Sequence, residues 1–421
     1  MKGSARNHFG PVDTQRRRIL KVTATAAGGL AVSLAIPGCG GGVEPAAPTT
    51  AAFQPETAKA LPLLEVRGSD FEIGLQIGRQ FSGEIRGGLE ARGEWWTDLL
   101  AFAKSQPPEV YDSFLAAAKK HTPEVLEELR GWAEGSGVPF RELMVLNLKA
   151  EYEALRRRSM GARPTEPPEE VPGCSSIVWT GDGNLLAVHN EDGHRAYSER
   201  MFLLSMHPAG RPSVLAVSYP GILPGNAPWI NSAGVMMTTN YIPSREVELG
   251  VGRYFLDRQA MVAENADRAV EICSHPDRAY AYHHVIGSRS EKRLLGLEVT
   301  PSKLEKREID GLYLHTNHLV LPTMAGEPQI EAYVEKSSMS RWEVLNRWKA
   351  GLPDPPALGG ADLIAVLSSH ENRPYSPCRH PEEGVDGATL LNALFDLGSG
   401  TLRIHKGNPC LGVHTDYPLP A

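Results

Sequence analysis

From Ser69 to about Lys104 the apolar residues recur with a helical period: Phe71, Ile73, Leu75, Ile77, Phe81, Ile85, Leu89, Trp95 and Leu99. Gly74 and Gly78, four apart, leave a face on which another element can pack closely. A second helix is predicted over Pro108–His121. A third starts at Thr122-Pro123, a capping residue followed by proline at the first helical position, and ends near Gly135-Ser136-Gly137. A fourth begins about Phe140, carries Leu143, Val145, Leu146 and Leu148, and runs toward Arg156-Arg157-Arg158. The texture breaks at Gly161–Gly173, a polar, proline-rich stretch without period that reads as an exposed loop. Beyond it the pattern turns to strands. Ser175–Thr180 and Leu185–His189 flank the hairpin turn Gly181-Asp182-Gly183-Asn184. Met201–Met206 pairs with Val214–Ser218, and Ile230–Asn240 is broken by Ser232-Ala233-Gly234. A helix is predicted from about Tyr254 to Cys273, with further strands to His315 and mixed elements after it. Helices followed by strands with helices make an α+β protein.

With 421 residues there is material for one large or two medium domains. The net charge is −7, but the basic groups crowd the N-terminus. Without the first 38 residues, 37 basic side chains stand against 49 acidic ones, a balance of −12 that excludes a nucleic-acid binder. Arg16-Arg17-Arg18-Ile19-Leu20-Lys21 precedes a mild apolar run to Gly38. That order is an export signal rather than a membrane span, and it resembles the twin-arginine type, with Arg16 and Arg17 as the pair. The run ends Ala35-Ile36-Pro37-Gly38-Cys39, which looks like a lipoprotein box with Cys39 as the lipidated residue. The expected organisation is an export signal with lipobox (1–39), a flexible linker (40–60), a helical segment (61–173) and a strand-rich chain (174–421). An envelope or periplasmic location follows, with a lipid anchor as the membrane contact.

Gly-x-Ser-x-Gly, His-Glu-x-x-His, the phosphate-loop lysine and the dinucleotide fingerprint are all absent from the sequence. What remains is Cys174, at the junction between the proline-rich loop and the first strand. Cleavage of the Gly173–Cys174 bond would give one residue both a thiol nucleophile and an α-amine, whose ordinary pKa of about 7.7–8.0 suits a general base. The alternative is a buried cysteine that merely begins a core strand.

Pro-Gly-Cys174-Ser-Ser-Ile followed by Asn190-Glu-Asp192 resembles the start of the catalytic chain in the acyl-coenzyme A:6-aminopenicillanic acid acyltransferase family, self-cleaving members of the N-terminal nucleophile hydrolases. Thr316-Asn317-His318 and Ser337-Ser338-Met339-Ser340-Arg341 are similar to its downstream motifs. Phe71–Gly78, Glu128–Gly137, Leu146-Asn147, Ser376-Pro-Cys378-Arg-His380 and Gly407-Asn-Pro-Cys410 extend the resemblance over roughly 63–418. The resemblance implies a four-layer αββα sandwich, self-cleavage at Gly173–Cys174 and a pro-segment ending at Gly173. It implies Asp192 as the holder of the new Cys174 amine and Asn317 as an amide donor to the oxyanion. Arg341 is expected to orient a substrate carboxylate or the aspartate, or to lie as a solvated charge. Ser340 is a candidate for the motif's serine, although which serine aligns is open, and Asn240 is a candidate second oxyanion donor.

His189 and His194 flank Glu191-Asp192, but no compact three-ligand spacing accompanies them, so neither metal nor cofactor is expected. Cys378 and Cys410 are either a disulfide or two free thiols, and Cys273 is structural. The functional expectation is an exported, self-activated amidohydrolase or acyltransferase that acts on a small acyl amide through an acyl-enzyme. An amine or thioester is a candidate acyl donor or acceptor. Two alternatives stand beside it: a papain-like thiol hydrolase pairing Cys174 with His318, and a noncatalytic ligand-binding lipoprotein.

Overall fold

The computed structural model describes residues 60–91, 93–160, 173–382, 385 and 387–420. The expected export signal with Cys39, the expected linker up to residue 59 and residues 161–172 of the expected loop lie outside the described residues.

The strands are β1 (Leu63–Gly68), β2 (Ser175–Gly181), β3 (Asn184–His194), β4 (Phe202–Pro208), β5 (Val214–Ser218), β6 (Trp229–Asn231), β7 (Val235–Tyr241), β8 (Tyr282–Ser288), β9 (Arg293–Val299), β10 (Leu304–Glu308), β11 (Gly311–His315), β12 (Gly387–Asp396), β13 (Thr401–Lys406) and β14 (Thr415–Pro418). They form an eight-stranded sheet, β1-β4-β5-β6-β7-β8-β9-β10, and a six-stranded sheet, β11-β2-β3-β12-β13-β14. Neighbours are antiparallel except β1 and β4, which pair in parallel from Leu63↔Leu203 to Gly68↔Pro208.

Side-chain alternation sets the layers. On β2, Ile177 and Trp179 join Leu186, Val188, Leu345, Leu363 and Leu367 in a cluster under two helices, while Ser176 points the other way and reaches Asn240 on β7. On β8, His283 faces Tyr313 of β11, and His284 faces Asp257 of a helix on the opposite side. The two sheets therefore stack on each other, and each carries helices on its outer face. This is the expected αββα arrangement.

The helices before β2 are α1 (Asp70–Gln80), α2 (Ser82–Ala91), α3 (Gly93–Ser105), α4 (Pro108–His121), α5 (Pro123–Ser136), α6 (Phe140–Asn147) and α7 (Lys149–Ser159). Over the larger sheet lie α8 (Arg253–Ala260) and α9 (Ala266–Cys273). A short α10 (Glu331–Tyr333) continues through a π turn, Val334–Ser338, into α11 (Met339–Ala350), which covers the smaller sheet with α12 (Gly360–Leu367). The single helix expected from Ser69 to Lys104 is thus three. The one expected from Tyr254 to Cys273 is two, because Asn265 caps a new start by accepting from the Arg268 N–H. β1 leaves no apolar pattern in the sequence because, as an edge strand, it buries Val66 alone of its six residues.

Gly74 and Gly78 of α1 meet Gly131 and Gly135 of α5. A Cβ on Gly131 would stand 2.2 Å from the Phe71 carbonyl oxygen, and one on Gly135 2.5 Å from that of Leu75. The helices touch backbone to backbone, and nothing in the contact can swing aside. Beside this crossing, Glu128 of α5 pairs with Arg258 of α8 at 2.6 Å, both at most 1% exposed. Removing one partner of such a buried pair costs about 3–5 kcal/mol. The helical segment is in this way fastened to the strand-rich chain by a strand, a core and an ion pair.

Gly131→Ala is expected to destabilise the protein by about 1–3 kcal/mol or more, as overpacking does. Gly87→Ala, at a position in α2 with open space around the α-carbon, should stabilise it by about 0.5–1 kcal/mol. Thermal melts of the two variants beside the parent check the pair of signs.

Candidate active site

Cys174 lies at the head of β2, 6% exposed. Its N–H donates to Asn317 Oδ1 at 2.8 Å, and its carbonyl oxygen accepts from Arg341. Arg341 is fully buried on α11 and donates also to Ser175 Oγ at 3.0 Å, Asn317 Oδ1 at 2.7 Å and Ser337 Oγ at 3.4 Å. The solvated alternative for Arg341 is thereby corrected: its helix face is turned inward against the head of β2. A cation with this many acceptors fixes the backbone on both sides of the Cys174 carbonyl.

Asn317 presents its carbonyl to Cys174 and Arg341 because both are donors. Its amide group donates to the Tyr241 carbonyl oxygen at 2.8 Å. It is therefore an acceptor toward Cys174, where an oxyanion donor was expected. Asn240, on β7, faces the residue two positions after Cys174. Its Oδ1 accepts from Ser176 Oγ at 2.8 Å and contacts His283 Nδ1 at 3.0 Å, while its buried Nδ2 has no partner. An uncommitted N–H of this kind is what an oxyanion site requires.

Ser340 is not in the site. It sits about 100° around α11 from Arg341, and its hydroxyl reaches the Asn372 carbonyl oxygen at 3.4 Å. Two other serines of the motif serve instead. Ser337, one helical turn before Arg341, accepts from its guanidinium, and Ser338 accepts from the Asn317 N–H at 2.7 Å.

Period two on β3 sends Glu191 and Asp192 to opposite faces. Glu191 enters the space between the sheets, where its Oε2 lies 4.0 Å from Cys174 Sγ and 3.2 Å from His189 Nε2, and its Oε1 accepts from Tyr219 at 3.1 Å. It is the carboxylate nearest the thiol, although the sequence motif points past it to Asp192. His194 does not join His189 and Glu191; it lies at the far end of β3 and accepts from the Ala196 N–H. Asp192 turns to the helical side, accepts from Thr389 Oγ1 at 2.7 Å and keeps a second buried oxygen without a partner. Burial raises the Asp192 pKa to about 7 against the pull of Arg379 and Arg341. Burial, reinforced by Glu191 and Asp192, also raises the Cys174 thiol well above its ordinary value, so the resting group is SH.

Arg379 is a site residue that no spacing announces, although it lies within the family-like stretch Ser376–His380. It is 1% exposed. A Cβ on Gly173 would stand 2.9 Å from Arg341 Nη2 and 3.0 Å from Arg379 Nη1. A side chain at 173 would crowd two buried guanidinium groups that close on the Gly173 α-carbon.

His318 cannot serve the papain-like alternative. Its Nδ1 contacts Ser338 Oγ at 2.8 Å and Thr316 Oγ1 at 3.2 Å, and burial with His315 and Arg341 nearby lowers its pKa to about 3. So weak a base does not ionise a buried thiol.

A profile of the acyl-coenzyme A:6-aminopenicillanic acid acyl-transferase family matches residues 179–410. The chain belongs to this family. It is accordingly an enzyme of the amidohydrolase and acyltransferase class, not a noncatalytic binding protein. It is similar to a β-alanyl-dopamine/carcinine hydrolase of Drosophila melanogaster, 23% identical over 376 residues, 83% of this chain and 94% of that protein. It is also similar to the 40 kDa form of an acyl-coenzyme A:6-aminopenicillanic-acid-acyltransferase of Emericella nidulans, 24% identical over 349 residues, 82% of this chain and 92% of that protein. Among solved structures, a mutant conjugated bile acid hydrolase of Clostridium perfringens aligns with a TM-score of 0.39 at 11% identity, covering 56% of this chain and 89% of that one. An N-acylethanolamine-hydrolyzing acid amidase ortholog of Caenorhabditis elegans aligns with a TM-score of 0.37 at 11% identity, covering 59% and 100%.

The Asp192 carboxyl has a consequence for stability. It holds its proton to about pH 7 in the fold but ionises near 3.8 when unfolded. Unfolding therefore releases a proton between these values, and stability falls as pH rises through that window. In an uncleaved Cys174→Ala chain, Asp192→Asn should raise the melting temperature at about pH 8 and leave it nearly unchanged at about pH 4. Melts of both chains at the two pH values check this.

Proposed function

We propose that the chain is an exported precursor that cuts itself between Gly173 and Cys174, then acts as an N-terminal-cysteine amidohydrolase on a linear acyl amide. The peptide unit at Cys174 carries the reading: its N–H rests on Asn317, its thiol stands beside Glu191, and Arg341 and Arg379 close on Gly173. In self-cleavage Glu191 takes the Sγ proton and Sγ adds to the Gly173 carbonyl carbon. The C–N bond breaks, the departing nitrogen takes a proton, and a thioester joins Gly173 to Sγ. Water then cleaves the thioester, leaving a Gly173 carboxylate and Cys174 with a free thiol and amine.

In turnover the α-amine takes the thiol proton, Sγ attacks the substrate carbonyl, and the amine returns the proton to the leaving nitrogen. Asn240 and backbone N–H groups donate to the oxyanion, an effect worth about 2.7–4 kcal/mol where one such donor is removed. Asp192 holds the amine. One relative is named for hydrolysing β-alanyl-dopamine and carcinine and the other for transferring an acyl group, which supports an amide substrate. Acyl-coenzyme A thioesters, the donors of a transfer reaction, are cytoplasmic metabolites, so with Arg16, Arg17 and Cys39 directing export and anchoring, the acyl group comes from an amide and the acyl-enzyme passes it to water.

Intact-mass measurement is expected to find two associated chains, the larger beginning at Cys174, and a single chain for Cys174→Ala; two chains from that variant would implicate an outside protease. Glu191→Gln should slow cleavage at least tenfold in a pulse-chase experiment. Acetylating the Cys174 amine of the mature enzyme should abolish turnover while the thiol still reacts with a small alkylating reagent. Fractionation should find the protein at the cell envelope, retained in the cytoplasm when Arg16 and Arg17 are both Lys and released from membranes by Cys39→Ala.

A further inference from the structure

Apart from the nucleophile's site, four side chains converge on one point: His370, Cys378 and His380 from the segment between α12 and β12, and Cys410 from the short turn Pro409–Leu411 after β13. Their donor atoms all lie within 4.8 Å of one another. His380 Nε2 is 3.2 Å from His370 Nε2, 3.4 Å from Cys410 Sγ and 3.7 Å from Cys378 Sγ. A single ring nitrogen makes one hydrogen bond, so three partners at these distances exceed what hydrogen bonding can satisfy. They match a tetrahedron around a cation: bonds of about 2.05 Å to nitrogen and about 2.3 Å to sulfur give edges of about 3.3 Å between nitrogens and about 3.6 Å between nitrogen and sulfur.

The surroundings are those of a thiolate centre. Asn408 Nδ2 donates to Cys378 Sγ at 3.2 Å and to the Arg379 carbonyl oxygen at 2.7 Å. An N–H donor on a ligating sulfur, anchored to the neighbouring backbone, orients the ligand and stabilises its charge. Cys378 is fully buried, and its N–H is held by the Ser369 carbonyl oxygen at 2.9 Å. Both cysteines are free, and a disulfide between them would give the two histidines no reason to converge on the same sulfurs.

We propose that His370, Cys378, His380 and Cys410 form a structural zinc site. Two thiolates and two imidazoles in a tetrahedron suit Zn²⁺, and four protein ligands leave no open position for chemistry. Binding releases the two thiol protons and ties the segment before β12 to the C-terminal turn. Arg379, between two of the ligands, closes on Gly173, and its N–H donates to Thr389 Oγ1, which in turn donates to Asp192. The metal would fix the segment that supplies one wall of the nucleophile's site.

Metal analysis of the full chain, purified from zinc-containing medium without chelator, tests this. The expected result is one zinc per chain, present also in Cys174→Ala and lost in Cys410→Ser and His370→Ala. Replacement by Co²⁺ should give the visible bands of a tetrahedral thiolate site. Should the variants fail to fold, a strong chelator added to the wild type should lower its melting temperature, and added Zn²⁺ should restore it. A metal-free chain with a Cys378–Cys410 disulfide found by mass spectrometry overturns the proposal. So does zinc that is lost in Cys174→Ala, or zinc retained at full stoichiometry in both ligand variants.

Discussion

The site depends on one buried cation. Arg341 ties two segments distant in sequence, the head of β2 through the Cys174 carbonyl and Ser175 and the turn after β11 through Asn317, to the π turn before its own helix through Ser337. Burying a guanidinium is costly unless its hydrogen bonds are met, and here most acceptors are oxygens of the site itself. The bonds made by its two Nη groups hold the Cys174 peptide in position, while its buried Nε has no partner. Asn317 is the second half of the clamp, since one oxygen receives both the arginine and the Cys174 N–H.

Between the sheets runs a seam of buried polar groups that apolar packing alone would not specify. From Glu191 it passes through His189, Ser176, Asn240 and His283 to Tyr313, and His283 stacks on His315, which meets Glu298 at 2.9 Å. Each link depends on the register of its strand, because a slip by one residue would turn every one of these side chains to the opposite face. The seam thus locks the two sheets in one alignment and delivers Glu191 to the thiol.

Much of this is legible in the sequence where local rules act. The glycine pair of α1, the hairpin at Asp182-Gly183 and the Gly173–Cys174 junction carry their meaning within a few residues. The rest is tertiary. β1 is a strand only because β4 is there to pair with it. Ser337 and Ser338 serve the site because a π turn sets their phase, and a motif of three serines cannot state which of them a helix turns inward. Alternation places Glu191 on one face with His189, but its neighbour across the sheet, Cys174, follows only from the pairing of β2 with β3. Arg379 sits inside a recognisable motif, with nothing in the spacing to say that it reaches Gly173.

The parallel pairing of β1 with β4 would have a further consequence under the proposed cleavage after residue 173. While the backbone is continuous, β1 searches for β4 at the high local concentration that its tether provides, and the entropy of closing the loop grows only slowly with its length. After the cut the contacts are unchanged, but re-forming them from separated pieces becomes a second-order encounter. The cut enzyme would then be easier to keep than to make again: its stability would depend on protein concentration, as that of an obligate dimer does. A chain so cut would fold once, as the proposed precursor, and afterwards persist by the slowness of its unfolding.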